Sequence, residues 1–446
     1  MKILSVFGTR PEAIKMAPIV RLLNQTQGIE SRVCVTAQHR QMLDQVLDLF
    51  QIKPDYDLDL MREGQSLAQL TAGIFLHLDP VLEEVRPDWV LAVGDTTTVV
   101  TTCQLAFYRK IKFGHVEAGL RTHNKWHPFP EEINRRLATT MADLHFAPTA
   151  WSQGNLLREG VNEKDIVVTG NPVIDALKFV SEQPAPDLVI ELLERLGVES
   201  DSLESDSLES DSLESDSLES DGLESDSLES DSLESDSLET MRLTTMRLKT
   251  MRLTTMRLTT MRLTTMRLKT KKLLLVTAHR RENFGQPIEN ICRALKEIAS
   301  RGDVEIVYPV HLNPNVQEPV NRILKNVKGI TLLPPLDYLP LVHLMKRSTL
   351  ILTDSGGLQE EAPTFGVPAL VLRETTERPE GIEAGTLKLV GTETSHIVQE
   401  ANRLLDDESE YAKMAKASNP YGDGHAAERI VEALVSRGGS HFQESA

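Results

Sequence analysis

Two doubly wound, Rossmann-like α/β domains in tandem, interrupted by a low-complexity insert, are the fold the sequence predicts. Three observations carry the prediction. Short apolar, β-rich runs alternate with amphipathic stretches through most of the 446 residues. The alternation stops near residue 170 and starts again near 273. Polar turns rich in Gly, Asp, Arg and His follow the strands, where an open parallel sheet binds its ligands.

In chain order, the first series of expected strands is Lys2–Phe7, Arg32–Thr36, Trp89–Val93, Ile111–Glu117, Leu144–Ala147 and Ile166–Thr169. Helical patterns near 12–24, 39–50, 65–85, 97–108, 131–142 and 151–159 separate them. Gly170-Asn-Pro-Val173 reads as a connector. The second series is Leu273–Thr277, Glu305–Pro309, Ile330–Leu333, Leu350–Thr353 and Ala369–Leu372, and the chain closes with helical patterns near 394–405 and 424–437. The expected domains are 1–170 and 171–446, with the closing helices packing back on the first.

Residues 200–270 form the insert. Asp-Ser-Leu-Glu-Ser repeats with one variant at Gly222, and Thr-Met-Arg-Leu-Thr repeats follow, with leucine every five residues from Leu203 to Leu268. Five residues turn an α-helix by about 500°, so successive leucines form no stripe. On a strand the odd period alternates them between faces. The 199–239 block carries 8 Asp and 9 Glu, and the 241–272 block 10 Lys or Arg. Segregated charge without a buriable face predicts disorder, hanging from the second domain and dispensable for activity.

A net charge of −18 argues against nucleic acid as the main partner. Cys34, Cys103 and Cys292 sit far apart in apolar contexts, without metal-ligand or redox spacing, as in a reducing cytosol. The start of the chain lacks signal-peptide character, and no apolar run is long enough to span a membrane. A cytoplasmic protein is expected.

The densest polar stretch is Gly114-His-Val-Glu-Ala-Gly-Leu-Arg-Thr-His-Asn-Lys-Trp-His-Pro-Phe-Pro-Glu-Glu-Ile-Asn-Arg-Arg136. Pro128 and Pro130 bar a helix in its middle, and Glu131-Glu132 opens one. By itself the stretch reads equally as a salt-bridged loop or as an acid–base site built on Glu117 and Glu131. Other strand ends offer ligand groups. Gly8-Thr-Arg-Pro-Glu-Ala-Ile-Lys15 places Arg10, Lys15 and free helix amides together, a plausible anion site. Gly94-Asp95 precedes a helix, where capping is the commoner role for an Asp-Thr pair. In the second half, His279 is flanked by Arg280 and Arg281. In Asp354-Ser-Gly-Gly-Leu-Gln-Glu-Glu361, Ser355 reads as a helix N-cap. Gly356 and Gly357 leave room for a diphosphate, and Glu361 projects from the helix beyond. Neither first strand is followed by Gly-x-Gly-x-x-Gly, so no nicotinamide cofactor is indicated, and His123 and His127 make a poor zinc pair. No metal and no cofactor are expected.

These motifs together resemble the bacterial non-hydrolysing UDP-N-acetylglucosamine 2-epimerases. The resemblance rests on Gly8-Thr-Arg-Pro-Glu12, Gly94-Asp95, His115-Val-Glu-Ala-Gly-Leu-Arg121 and Pro128-Phe-Pro-Glu-Glu-Ile-Asn-Arg135. It continues in Thr169-Gly-Asn-Pro-Val173, His279-Arg-Arg-Glu-Asn283, Tyr308-Pro-Val-His311, Asp354-Ser-Gly-Gly357 and Thr376-Glu-Arg-Pro-Glu380. It implies a glycosyltransferase-B type fold, a homodimer, and reversible interconversion of UDP-GlcNAc and UDP-ManNAc for cell-surface polysaccharide. It further implies elimination of UDP to a 2-acetamidoglucal and its re-addition.

By the same resemblance Asp95, Glu117, Glu131 and His279 are the catalytic residues. Arg10, Lys15, Ser355, Gly356, Gly357, Glu361 and Arg378 match substrate-binding positions, and Gln38 and Gln41 match part of an allosteric site. Leu341 departs from the family, where an aromatic residue near the base is common. Three alternatives stay open: a hydrolysing epimerase releasing ManNAc and UDP, a glycosyltransferase of the same fold, and an inactive nucleotide-sugar-binding regulator.

Overall fold

The computed structural model describes residues 1–36, 40–60, 62, 64–198 and 271–438. The repeats therefore lie outside the described residues, as does Gln38, while of Gln41 only the backbone is described. At the two ends flanking the repeats, the Lys271 N–H donates to the Gly197 carbonyl at 3.4 Å.

The first sheet comprises β1 (Lys2–Phe7), β2 (Glu30–Val35), β3 (Tyr56–Asp57), β4 (Trp89–Val93), β5 (Lys112–Val116), β6 (Leu144–Ala147) and β7 (Ile166–Val168). Its order is β3-β2-β1-β4-β5-β6-β7, with every pairing parallel. The helices of this half are α1 (Arg10–Gln25), α2 (Arg40–Leu49), α3 (Leu67–Val85), α4 (Thr97–Tyr108), α5 (Glu131–Met141), α6 (Ala150–Arg158), α7 (Pro172–Ser181) and α8 (Asp187–Leu196).

The second sheet comprises β8 (Lys272–Thr277), β9 (Val304–Pro309), β10 (Ile330–Leu333), β11 (Leu350–Thr353), β12 (Ala369–Val371) and β13 (Leu387–Leu389), in the order β10-β9-β8-β11-β12-β13. Its helices are α9 (Gln286–Ala299), α10 (Pro314–Leu324), α11 (Tyr338–Arg347), α12 (Gly356–Glu361) and α13 (Pro379–Glu383). They are followed by α14 (Thr394–Asp406), α15 (Glu408–Ala415) and α16 (Ala426–Gly438).

Each sheet has its own core. Leu4, Val6, Val90 and Ala92 of the first sheet meet Ile74, Leu78, Val81, Leu82 and Val85 of α3, whose three- and four-residue spacing makes one apolar face. Leu274, Val276, Ile306 and Tyr308 of the second sheet meet Ile288, Ile291, Leu295 and Ile298 of α9. Burial of each such side chain stabilises by about 1.5–3 kcal/mol. The three cysteines are buried and free.

Both sheets reverse their strand order beside their first strand, at β1/β4 and at β8/β11. The C-terminal ends of strands at such a reversal diverge into opposite-facing helices and leave a crevice. The turns named above, at Gly8–Lys15, Asp95, His279 and Ser355–Gly357, leave these four strands.

The elements depart from expectation in a few places. β2 runs Glu30–Val35 and not Arg32–Thr36, and β3 and β13, with two and three residues, are too short for periodicity to reveal. Gly170-Asn-Pro-Val173 opens a helix where a connector was expected: Asn171 Oδ1 accepts from Val173 N at 3.1 Å and Pro172 takes the first position of α7. α8 and α15 add to the expected elements; α15 buries none of its residues and shows no apolar stripe. The final helix, α16, packs on α1 and α7. Ala426 and Ala427 donate their N–H groups to Asp175 at 3.2 and 2.8 Å, and Arg429 donates to the Thr169 carbonyl at 2.9 Å.

Candidate active site

The two crevices open onto one cavity of about 410 Å³. Asp95, Glu117 and Glu131 line it from the first sheet's side together with Arg10 and Lys15. His279, Ser355, Gly356, Gly357, Glu361 and Arg378 line it from the second. All the residues expected to act on or bind the substrate are thus brought together, with only the Gln38 and Gln41 positions left outside the described side chains.

The carboxylates are held in three different ways. Asp95 does not cap α4; Thr96 does, its hydroxyl accepting from Val99 N. Asp95 instead receives the Arg135 guanidinium, with Nε at 2.9 Å and Nη2 at 2.6 Å, while Asn134 Nδ2 holds its backbone carbonyl at 2.8 Å. Burial works to raise the Asp95 pKa, but the Arg135 charge outweighs it, and the group is held below the usual carboxylate range. Glu131 opens α5 and keeps a buried Oε2 that no donor reaches. Burial, with Asp95 nearby, raises its pKa. Two neighbouring carboxyls pushed in opposite directions suit acid–base chemistry.

Glu117 follows β5 in a left-handed backbone conformation, φ 62°, which a non-glycine residue adopts at a cost of about 1–3 kcal/mol. Its Oε1 accepts from Lys15 Nζ at 2.5 Å and from Asn171 Nδ2 at 3.0 Å. Lys15 is expected to lose affinity for its proton on burial, yet the Glu117 and Glu360 carboxylates more than compensate and it stays charged.

At the other end, Asp354 organises the turn after β8. Its Oδ2 accepts from His279 N, Arg280 N and Asn283 Nδ2 at 2.8, 2.8 and 2.9 Å. The His279 ring, about one-third exposed, stacks on His311 with centroids 5.5 Å apart. Burial lowers its pKa, Asp354 opposing, so the ring enters the site neutral at pH 7. Ser355 occupies the N-cap position of α12 without its side chain bonding to the helix.

A Cβ on Gly356 would meet Arg378 Cζ at 2.6 Å, so the absence of a side chain there is needed by the protein itself. At Gly357 the nearest atom would be 3.8 Å away, and the space is open. Arg378 donates Nε to Glu360 at 2.6 Å and lies 2.8 Å from Glu377. Arg10 donates both terminal nitrogens to the Leu336 carbonyl at 3.2 Å, bridging toward the second half. Glu361 accepts from the Tyr338 hydroxyl at 2.6 Å, and burial pushes its pKa up to about 7.

Other members of the polar stretch build the scaffold. Buried Glu132 accepts from Thr122 N and His123 N, fixing the loop. Arg121 is consumed by Glu159 and Thr139. His115, pushed down to about 4 by burial, donates Nε2–H to the Gly94 carbonyl at 2.7 Å and steadies the turn before Asp95. His123 and His127 line an adjoining cavity of about 670 Å³ that shares Pro128, Arg280 and Glu377 with the first.

Arg135, Asn171 and Glu360 escaped the sequence reading. The spacing Glu131, Asn134, Arg135 on one helical face was the available signal for Arg135. Asn171 and Glu360 stand inside quoted motifs, but nothing local gives either its partner.

Comparison with known proteins decides the family. The family model described as UDP-N-acetylglucosamine 2-epimerase matches residues 21–198 and 240–435. The chain belongs to the UDP-N-acetylglucosamine 2-epimerase family. Among curated relatives, the UDP-N-acetylglucosamine 2-epimerase of Yersinia pestis is 49% identical over 97% of this chain and 98% of its own. That of Escherichia coli K12 is 48% identical over 97% and 98%. The Neisseria meningitidis UDP-GlcNAc 2-epimerase, solved bound to UDP-GlcNAc, superposes with a TM-score of 0.76 at 42% identity, covering 98% of this chain and all of that one. The Methanocaldococcus jannaschii UDP-GlcNAc 2-epimerase, solved with UDP-GlcNAc and UDP, gives 0.70 at 28% identity, over 98% of this chain and 100% of that one. The epimerase family's two-sheet α/β architecture is thereby shared across these relatives.

Proposed function

We propose that this protein is a non-hydrolysing UDP-N-acetylglucosamine 2-epimerase that interconverts UDP-GlcNAc and UDP-ManNAc. The observation that carries the reading is the polarity of the 410 Å³ cavity: Asp95, Glu117 and Glu131 line it from the first sheet's side, and a glycine turn with Arg378 lines it from the second's. A bound nucleotide sugar places its diphosphate at the latter and its hexose at the former.

In the elimination, the C2–H bond breaks with its proton passing to a carboxylate, and UDP leaves C1 with the bonding electron pair. The neutral 2-acetamidoglucal remains. UDP then returns to C1 as a carboxyl delivers a proton to the opposite face of C2. The reaction is redox-neutral. Asp95, held ionised, and Glu131, with raised proton affinity, support a shuttle using both faces, with Glu117 as the third proton-handling carboxylate of the cavity. Cations and amides at the departing diphosphate supply electrostatic stabilisation.

The test is incubation with UDP-GlcNAc alone in D2O. UDP-ManNAc carrying solvent deuterium at C2 is the expected product. Retention of the original hydrogen would sink the elimination route, and free ManNAc with UDP would assign the hydrolysing reaction instead.

The same reading makes the protein a cytoplasmic homodimer. Free thiols at Cys34, Cys103 and Cys292 support a reducing compartment. No helix among the described residues is long and apolar enough to cross a membrane. Leu76, Phe107 and Tyr108, 72%, 61% and 61% exposed on the adjoining helices α3 and α4, provide an apolar surface for a second copy. Sedimentation equilibrium at the mass of one chain would exclude it.

A further inference from the structure

We infer that Asn171 is the positioning residue for Glu117, tying that carboxylate to Glu360 and Arg378 of the second half of the molecule. The inference rests on the reading of Glu117 as a proton-handling group.

Asn171 is 1% exposed and each of its polar atoms has a partner. Its backbone N–H donates to the Tyr421 carbonyl at 2.7 Å, and Oδ1 caps α7 through Val173 N. The side-chain NH2 then bridges two buried carboxylates, Glu117 Oε1 at 3.0 Å and Glu360 Oε2 at 2.9 Å. A primary amide suits this place because it presents two hydrogens to two anions while its oxygen caps the helix. Aspartate would keep the cap and set a third carboxylate between the other two. Serine would keep the cap and span neither.

With Lys15 and Asn171 both donating to Oε1, no donor among the described residues reaches Glu117 Oε2, which faces the Gly94 turn. Oε2 is the oxygen left for the substrate. On the far side, Glu360 is 1% exposed and its Oε1 accepts from Arg378 Nε. The chain Lys15–Glu117–Asn171–Glu360–Arg378 therefore runs without interruption from the proton-transfer end of the cavity to the glycine turn. Removal of its middle member leaves Glu117 held by Lys15 alone, so the carboxylate can pivot about that one contact, while the Arg378–Glu360 pair beside the glycine turn stays in place.

The experiment compares wild-type protein with Asn171→Ser and Asn171→Gly, using UDP-GlcNAc and UDP-ManNAc with hydrogen or deuterium at C2. A wild type without epimerisation would defeat the functional reading and not the positioning role. Given an active wild type, Asn171→Ser is expected to lose about 100-fold in kcat, as misplacement of a catalytic group does. KM and UDP affinity should stay at wild-type values, and the C2 isotope effect on kcat should rise in at least one direction as proton transfer becomes limiting. Wild-type kcat and isotope effect would overturn the inference. So would a kcat loss that follows a fall in Tm and UDP binding with the isotope effect unmoved. Should Asn171→Ser not fold, Asn171→Gly, a tolerated N-cap residue that removes the bridging amide without adding charge, is judged by the same two readouts.

Discussion

Arg135 grips Asp95 across 40 residues of sequence, Nε at 2.9 Å and Nη2 at 2.6 Å, while Glu131 one turn earlier keeps a buried oxygen with no donor. One helix thus hands a counter-ion to one carboxylate and withholds it from its neighbour. The difference in proton affinity between Asp95 and Glu131 follows from that arrangement.

Replacing Arg135 tests it. Arg135→Ala leaves the Asp95 carboxylate without its buried partner and should cost about 3 kcal/mol of stability. It should also lower kcat by about 100-fold through misplacement of Asp95. Arg135→Lys restores part of the stability and little of the rate, since one ammonium cannot reproduce the planar fork. Urea unfolding and steady-state epimerisation measure both; wild-type kcat in Arg135→Ala would remove the pair from the mechanism.

Glu117→Gln should retain UDP binding and lose at least about 100-fold in turnover, the scale of a removed proton-transfer group. A glutamine oxygen still accepts from Lys15, but the Lys15 charge, only 14% exposed, loses the nearer of its two counter-ions and keeps only Glu360. Calorimetry should therefore show a lowered Tm alongside intact UDP titration. Unchanged turnover would exclude Glu117.

The two glycines of the turn after β11 should behave differently. Gly357→Ala meets nothing closer than 3.8 Å in the free protein, so Tm should hold while UDP affinity falls by about tenfold, or 1.4 kcal/mol. Gly356→Ala collides with Arg378 and should lower both Tm and UDP affinity. If Gly357→Ala binds UDP as tightly as wild type, the diphosphate does not approach this backbone.

Glu361 makes stability depend on pH. Burial raises its folded pKa from 4.5 to about 7, so it contributes stability below pH 4.5, where folded and unfolded chains are both protonated. That contribution is lost as pH rises through about 7, because the unfolded chain ionises first. Glu361→Gln removes the penalty and should raise Tm at pH 8 by a few degrees relative to wild type, with little difference at pH 4.5. An equal Tm shift at both pH values would show that Glu361 is not the titrating group.

Much of this architecture was legible in the linear chain. The strands from which Arg10, Asp95, Glu117, His279 and Ser355 emerge are near-continuous apolar runs bounded by Gly, Pro and Asp, and such runs are recognisable locally. β3 and β13 were not, because two or three residues carry no period. α7 was hidden because Asn-Pro reads as readily as a turn as a helix start. Asp95 as a helix cap was the locally sensible reading, and it failed because Thr96 takes the N-cap position while Arg135 holds the Asp95 carboxylate from a helix the local sequence cannot see.

By itself, then, the sequence determined which residues stand at strand ends, and hence which could face a ligand, since that depends on short-range hydrophobic patterning. Only the tertiary structure decided what each one does there. Lys15 meets Glu117 across 102 residues, and Asn171 meets Glu360 across 189. Those partnerships follow from the strand order of two separate sheets. Whether a buried carboxylate is ionised, held or left free for a proton depends on its partners, and no local stretch of sequence contains them.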